Sequence, residues 1–210
     1  TIYRENFPES EFVLGDMAGL MDIPPADILT SGFSCQGFSV AGKRLGFHDK
    51  RSDAFHKTVD IAKKMSPKII ILENVKNILT HNNGGTMETI YEAIKGIGYH
   101  VEHFLLNTSV HSCIPQNRER VYFICYRNDV RFRVGLPTPC PYGLKVSDYF
   151  IAREAHEKYY YSGRFKVWDT IQAGVDKHVR TDTVYQYRRT CVRENKTNRF
   201  PTITANSGGG

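Results

Sequence analysis

Apolar positions in the first half of the chain recur with two different periods, and the alternation between those periods predicts the fold. Residues 54–65 place Phe55, Val59 and Ala62 at helical spacing and stop ahead of Pro67, which predicts a helix. Residues 86–97 repeat the pattern with Met87, Ile90, Tyr91 and Ile94 on one side and Gly98 as the stop. Between them stands Ile69-Ile70-Ile71-Leu72, a short β-branched run of the kind buried on both faces in a parallel sheet. A strand-like stretch, Asp27-Ile28-Leu29-Thr30, precedes the first helix, and residues 100–106 and 121–126 are further strand candidates. This βαβ order predicts an α/β fold, a doubly wound and mostly parallel sheet whose ligands gather at the carboxyl ends of the strands.

From Arg131 onward the pattern changes. Pro137, Pro139 and Pro141 form a linker-like stretch ahead of Lys145-Val146-Ser147-Asp148-Tyr149-Phe150. Beyond it, segments rich in Tyr, Thr and Arg show neither period. A larger domain is therefore expected over residues 1–145 and a smaller, irregular or β-rich one over residues 146–210. Neither Thr1 nor the closing Ser207-Gly208-Gly209-Gly210 reads as a natural terminus. The chain is expected to be a piece of a longer protein, or to have a second polypeptide supplying what it lacks.

Composition narrows the class. With 210 residues, 40% hydrophobic and 24% charged, the chain has the balance of a globular domain with one sizeable core. No apolar run approaches the roughly 20 residues that cross a bilayer, so no membrane partner is expected. Five cysteines, Cys35, Cys113, Cys125, Cys140 and Cys191, are widely spaced and include no Cys-x-x-Cys pair. They predict a reduced, cytoplasmic setting without a metal site, the last four being structural or incidental. His48, His56 and His81 read as surface or loop residues. The net charge of +6 is unevenly placed: residues 1–110 hold 11 basic against 13 acidic side chains, net −2, and residues 111–210 hold 17 against 9, net +8. In the second part Arg188, Arg189, Arg193, Lys196 and Arg199 are interleaved with Tyr185, Tyr187 and Phe200. That composition suits either a phosphate backbone or a solvated basic face.

Three polar signatures fall at the breaks of strand-like runs. Cys35 follows the first in Ser31-Gly32-Phe33-Ser34-Cys35-Gln36, Glu73-Asn74-Val75 follows the second, and Gln116-Asn117-Arg118-Glu119-Arg120 precedes the last. A thiolate adds to an electron-poor carbon, a carboxylic acid serves the ring under attack, and a guanidinium holds a carbonyl oxygen. Activation of cytosine requires that trio, because carbon 5 is a poor nucleophile until a thiolate has added at carbon 6. Taken singly, Cys35 reads as a small buried residue, Glu73 as a helix cap, and Arg118 and Arg120 as partners of sheet-edge acids.

Taken together and in this order, the motifs resemble those of the DNA cytosine-5 methyltransferases. Gly32-Phe33-Ser34-Cys35-Gln36-Gly37-Phe38-Ser39, with Gly42-Lys43-Arg44 and Asp49-Lys50-Arg51, is similar to the family's nucleophile and mobile loop. Glu73-Asn74-Val75-Lys76-Asn77 is similar to its acid motif, and Pro115-Gln116-Asn117-Arg118-Glu119-Arg120 to its arginine motif. Phe200-Pro201-Thr202-Ile203-Thr204-Ala205-Asn206 resembles the stretch closing its target-recognition region.

The resemblance implies a Rossmann-like methyltransferase, of the bacterial restriction-modification type, acting on double-stranded DNA near the nucleoid. It makes Cys35 the nucleophile, Glu73 the group at nitrogen 3, Arg120 the contact to the cytosine oxygen, Arg118 a support for the adduct, and Asn74 the shaper of the turn that aims Glu73. S-adenosylmethionine is the implied donor, with Asp16, Met17, Phe33 and Ser34 as its candidate contacts. Gln36, Ser39, Lys43, Arg51, Gln116, Arg188, Arg189, Arg193 and Asn206 are implied for DNA. The target base must leave the stack to be reached, and Gly37, Gly42 and Gly46 suit a loop that closes over it.

Two features depart from the family's pattern. Ser34 stands where a proline ordinarily precedes the nucleophile, and no glycine-rich Phe-x-Gly-x-Gly segment is present. Two rival functions follow: a transfer-RNA cytosine-5 methyltransferase, whose Cys-Phe-Thr element is not found here, and a non-catalytic DNA-binding fragment or subunit of a split methyltransferase.

Overall fold

The structure is a computed structural model that describes residues 2–19, 23–33, 53–140, 143–150, 154, 156–157, 160–177, 180–188 and 190–203. The chain divides into two compact units, residues 1–104 with 121–134, and residues 105–120 with 135–210.

The first unit is built on a four-stranded sheet. In chain order it comprises α1 (Ile2–Asn6), β1 (Ile28–Gly32), α2 (Asp53–Met65), β2 (Ile69–Val75), α3 (Gly85–Gly96), most of β3 (Tyr99–Asn107) and most of β4 (Glu119–Arg127). The strand order is β1-β2-β4-β3. β1 and β2 are parallel, with Ile28 opposite Ile69 and Gly32 opposite Glu73. β4 runs the other way, since Arg127 N donates to Lys68 O at 3.0 Å and Asn128 N to Gly98 O at 3.1 Å, which joins the end of β4 to the starts of β2 and β3. Three of the four strands therefore share a direction, and the strand between β2 and β3 opposes them.

The expected periodicities build the core. Phe55 and Ala62 of α2 and Ile90 and Ile94 of α3 are buried against Ile70 and Leu72 of β2 and against Val121, Phe123 and Cys125 of β4. Burial of a side chain the size of Phe55 or Ile90 stabilises by about 1.5–3 kcal/mol. The other face of β2, carrying Ile71, is only partly covered. α3 ends as its sequence predicts: Gly98 takes φ +88° and its N–H donates to Lys95 O at 3.0 Å, a left-handed stop that glycine adopts without steric cost.

The second unit holds α4 (Thr108–His111), α5 (Trp168–Val175) and an antiparallel hairpin, β5 (Tyr185–Arg188) with β6 (Cys191–Glu194). α5 packs tightly on β6, so that a Cβ on Gly174 would stand 2.5 Å from Val192 Cγ2. Cys113 and Cys140 are paired through their sulfur atoms, with Cα atoms 6.0 Å apart. The reduced thiols expected from spacing alone are thus corrected at these two positions. The reason lies in the backbone, where Cys140 N donates to Val110 O at 2.7 Å and carries the two chain segments together. Cys125 is buried and Cys191 exposed, and both are free thiols. Among the described residues no helix is long and apolar enough to cross a membrane, and no group of His, Cys, Asp and Glu is arranged to hold a metal.

Candidate active site and nucleic-acid face

β2 continues through Glu73-Asn74-Val75 rather than ending at Leu72, and its ladder with β1 runs past the apolar run to Glu73. Strand register therefore positions Glu73. Its partner across the ladder is Gly32, and a Cβ there would lie 3.5 Å from Glu73 Oε2, so the half-buried carboxylate leans over the glycine.

Asn74, only 3% exposed, points the other way along the pleat. Its Nδ2 donates to Phe33 O at 2.8 Å, and its Oδ1 accepts from Val75 N at 2.8 Å. The Phe33 ring is buried against Phe55 with centroids 5.1 Å apart. The backbone leaving β1 is thus held by an amide on one side and a packed ring on the other, two residues before Cys35. Asn74 fixes this exit, whereas the expectation was that it would shape a turn for Glu73. Ser31 adds a further hold: Thr58 Oγ1 donates to Ala54 O at 2.8 Å, so Ser31 Oγ is the donor in its 2.9 Å bond to Thr58 Oγ1.

Asp16 and Met17 open a short 3-10 turn, Met17–Gly19, closed by Gly19 N donating to Asp16 O at 3.0 Å. The Asp16 side chain is 83% exposed and lies 4.0 Å from Lys57 Nζ of α2. Such a pair at the surface contributes about 0–1 kcal/mol. Met17 is exposed as well. With the Phe33 ring in the core and its carbonyl taken by Asn74, Phe33 has no side chain to offer a ligand. Ser34, Cys35, Gln36, Ser39, Lys43, Arg51, Arg189 and Asn206 lie outside the described residues.

In the second unit the arginine motif is zipped to the Phe200-Pro201-Thr202 segment. Gln116 forms a parallel bridge with Phe200, Asn117 N donates to Phe200 O at 2.7 Å, and Phe200 N donates to Pro115 O at 2.6 Å. Thr202 Oγ1 donates to Asn117 O at 2.9 Å, and the Asn107 amide donates to Asn117 Oδ1 at 2.7 Å. Arg118 is fixed through its main chain, its carbonyl accepting from Thr108 N at 3.0 Å. Arg120 stands on β4 itself rather than ahead of it, and its Nη1 donates to Glu119 O at 2.8 Å. Both arginines are half-buried. Arg199 Nη1 donates to Ser109 Oγ at 3.0 Å, tying the basic segment to α4.

The hairpin sorts its side chains by face. Gln186 pairs across with Arg193, and Arg188 with Cys191. These four therefore share one side, and Tyr185, Tyr187, Val192 and Glu194 share the other. Arg188 Nε donates to Gln186 Oε1 at 2.9 Å. Arg188 and Arg193 line a cleft of about 510 Å³ together with Gln186, Lys196, Asn117 and Pro201. Glu194 also lines the cleft, and both acids of this region are paired with Arg180, which lies 2.9 Å from Asp182 and 3.2 Å from Glu194. The Arg180 guanidinium holds the Asp182 carboxyl below the usual carboxylate range, and Asp182 raises Arg180 in return. Sequence reading missed Gln186 and the Asn74–Phe33 tether. The Tyr-Gln-Tyr-Arg alternation was the available signal for the first, and nothing in composition marks the second.

Comparison with known proteins supplies the lineage. The chain matches the C-5 cytosine-specific DNA methylase family over residues 1–208. It is 38% identical to the type II methyltransferase M.Bsp6I of Bacillus sp. (strain RFL6), covering 99% of this chain and 67% of that protein. It is 43% identical to the type II methyltransferase M.NgoBI of Neisseria gonorrhoeae over 62% of this chain and 41% of that protein, so it spans only part of such relatives. A solved structure of a Spodoptera frugiperda DNMT2 mutant shares the fold at a TM-score of 0.52 and 22% identity, covering 75% of this chain and 50% of that one. The chain therefore belongs to the C-5 cytosine-specific DNA methylase family.

Proposed function

We propose that this chain provides the chemistry for transferring a methyl group from S-adenosylmethionine to carbon 5 of cytosine in duplex DNA. The observation that carries the reading is the β1–β2 end. The register sets Glu73 opposite Gly32, and Asn74 grips Phe33 two residues before Cys35. A carboxyl and the approach to a thiol are thereby held by one ladder, in a member of a family of cytosine methylases.

In this reading residues 1–145 carry the reaction and residues 146–210 carry recognition, acting in the bacterial cytoplasm at the nucleoid. Cytosine leaves the stack, because its carbon 6 is closed to a nucleophile inside the duplex. Cys35 adds as thiolate, forming a sulfur–carbon 6 bond and moving electron density to carbon 5. Glu73 bonds nitrogen 3 and the exocyclic amine, which makes the addition feasible. Arg120 holds the cytosine oxygen and Arg118 supports the adduct. After methylation, loss of the carbon 5 proton expels Cys35. Gln36, Ser39, Lys43, Arg51, Gln116 and Asn206 contact DNA around the opened pair.

The residues present suit the donor. Asp16 offers an exposed carboxylate acceptor and Met17 a soft apolar side chain at adjacent positions of one turn, a pair fitted to the polar edge and the face of an adenine. When bound, S-adenosylmethionine supplies an electrophilic methyl group. Asp16 and Met17, with the backbone at Phe33 and Ser34, would hold it.

Duplex DNA containing 5-fluorocytosine tests the reading, since fluorine cannot leave as a proton does. The protein with its donor should become covalently joined to such DNA, and Cys35→Ala should not. Trapping that survives Cys35→Ala, or 5-methylcytosine formed in transfer RNA and not in duplex DNA, overturns it.

A further inference from the structure

We infer that the Gln186, Arg188 and Arg193 face of the β5–β6 hairpin reads guanine in the major groove beside the target cytosine. The inference rests on duplex DNA being the substrate, and it goes beyond the reaction to the base that selects the site.

A two-stranded ribbon is one of the two shapes that fit the major groove, and a guanidinium forked onto guanine O6 and N7 is the commonest specific contact made there. Alternation puts Gln186, Arg188 and Arg193 on one side of this ribbon, where all three line the same cleft. The bond from Arg188 Nε to Gln186 Oε1 consumes one donor and fixes the plane of the guanidinium, leaving the Nη1 and Nη2 pair as a fork of set direction.

Charge points the same way. Asp182 and Glu194 are taken by Arg180, and among the described residues neither Arg188 nor Arg193 makes an ion pair. Apart from the Arg188 Nε bond to Gln186, the two arginines on this exposed face suit an acceptor-rich ligand, and guanine presents two acceptors to the major groove where cytosine presents a donor. The cleft also holds Asn117, which neighbours Arg118 and bonds Phe200, so a base read by the hairpin adjoins the arginine motif within the same unit.

Selection of duplexes from a randomised pool by binding to the protein tests the inference without recourse to methylation. The selected site should contain guanine. Arg188→Lys or Arg193→Lys, which keep the charge and lose the fork, should relax preference at one guanine by roughly tenfold or more. The melting temperature should stay unchanged, and affinity for unselected DNA should fall less than affinity for the selected site. Replacing that guanine with 7-deazaguanine should weaken the unaltered protein to the same degree and cost the variant nothing further. Three results overturn the inference: selected sites without guanine, undiminished preference in both lysine variants, or no sequence selection at all. Cytosine methylation on the selected duplexes is scored separately. Guanine selection without methylation defeats the proposed reaction and leaves the reading of guanine standing.

Discussion

Replacing Asn74 with alanine removes the amide that grips the exit of β1, and its cost can be worked from two bonds. Nδ2 donates to Phe33 O and Oδ1 accepts from Val75 N, each at 2.8 Å, in a side chain 3% exposed. Each bond contributes about 1 kcal/mol net, and a buried carbonyl left without its donor costs about 1–3 kcal/mol. The variant should therefore lose about 2–4 kcal/mol, a large share of the roughly 5–15 kcal/mol that holds a domain together. Asn74→Asp keeps the acceptor for Val75 and sets a carboxylate against the Phe33 carbonyl, so it should fare no better. Because Cys35 lies two residues beyond Phe33, loosening the exit should also slow covalent capture of 5-fluorocytosine DNA, by up to about 100-fold if the thiol is displaced by an ångström. Urea unfolding gives the first quantity, and the single-turnover trapping rate, taken where the variant is fully folded, gives the second. Asn74→Ala within about 0.5 kcal/mol of the unaltered protein, and trapping at the same rate, would refute the argument.

Two further outcomes follow from packing. A methyl group on Gly174 would meet Val192 Cγ2 at 2.5 Å and Cβ at 2.6 Å, so Gly174→Ala should destabilise α5 against β6. Its overpacking cost of about 1–3 kcal/mol exceeds the roughly 1 kcal/mol gained in helix propensity, and a raised melting temperature would contradict it. Burial pushes the Cys125 thiol up to about 12, so below that pH an alkylating reagent should label exposed Cys191 and spare Cys125 until the protein unfolds. The unfolded chain releases this proton near pH 8.5, so its stabilisation is present below that pH and declines by up to about 1.4 kcal/mol per unit as pH rises towards 12. Cys125→Ala should flatten that alkaline decline, and native labelling of Cys125 at pH 8 would contradict its burial.

Much of the first unit was legible because its elements follow hydrophobic period. α2 and α3 fall within a residue of their expected spans, Asp53–Met65 and Gly85–Gly96, and β2 contains the apolar run that announced it. The polar ends of strands were not legible. Glu73-Asn74-Val75 and Glu119-Arg120 look like loop by composition, yet ladder pairing carries them into β2 and β4. The antiparallel insertion of β4 between β2 and β3 is a long-range choice that no local pattern records. The hairpin escaped for a different reason. The two residues between its strands in the sequence, Arg189-Thr190, carry none of the glycine or asparagine signals of a two-residue turn. The Cys113–Cys140 pairing depends on where the backbone brings Val110 and Cys140 together, which spacing along the chain does not encode. Of the candidate site, residue types and order could be read in advance. The Asn74–Phe33 grip and the Gln186–Arg188 bond emerge only when distant segments meet.

The bonds joining Phe200 and Thr202 to Gln116 and Asn117 bear on any attempt to transplant specificity between relatives. A cassette cut as one contiguous stretch near the carboxyl end would arrive without the strip of main chain on which it is laced, and the host's own strip would have to match it bond for bond. The exchangeable piece is discontinuous, made of residues 105–120 together with 135–210. Its inheritance between enzymes thus requires crossovers after residues 104, 120 and 134, which leave all of β4 but Glu119 and Arg120 with the host.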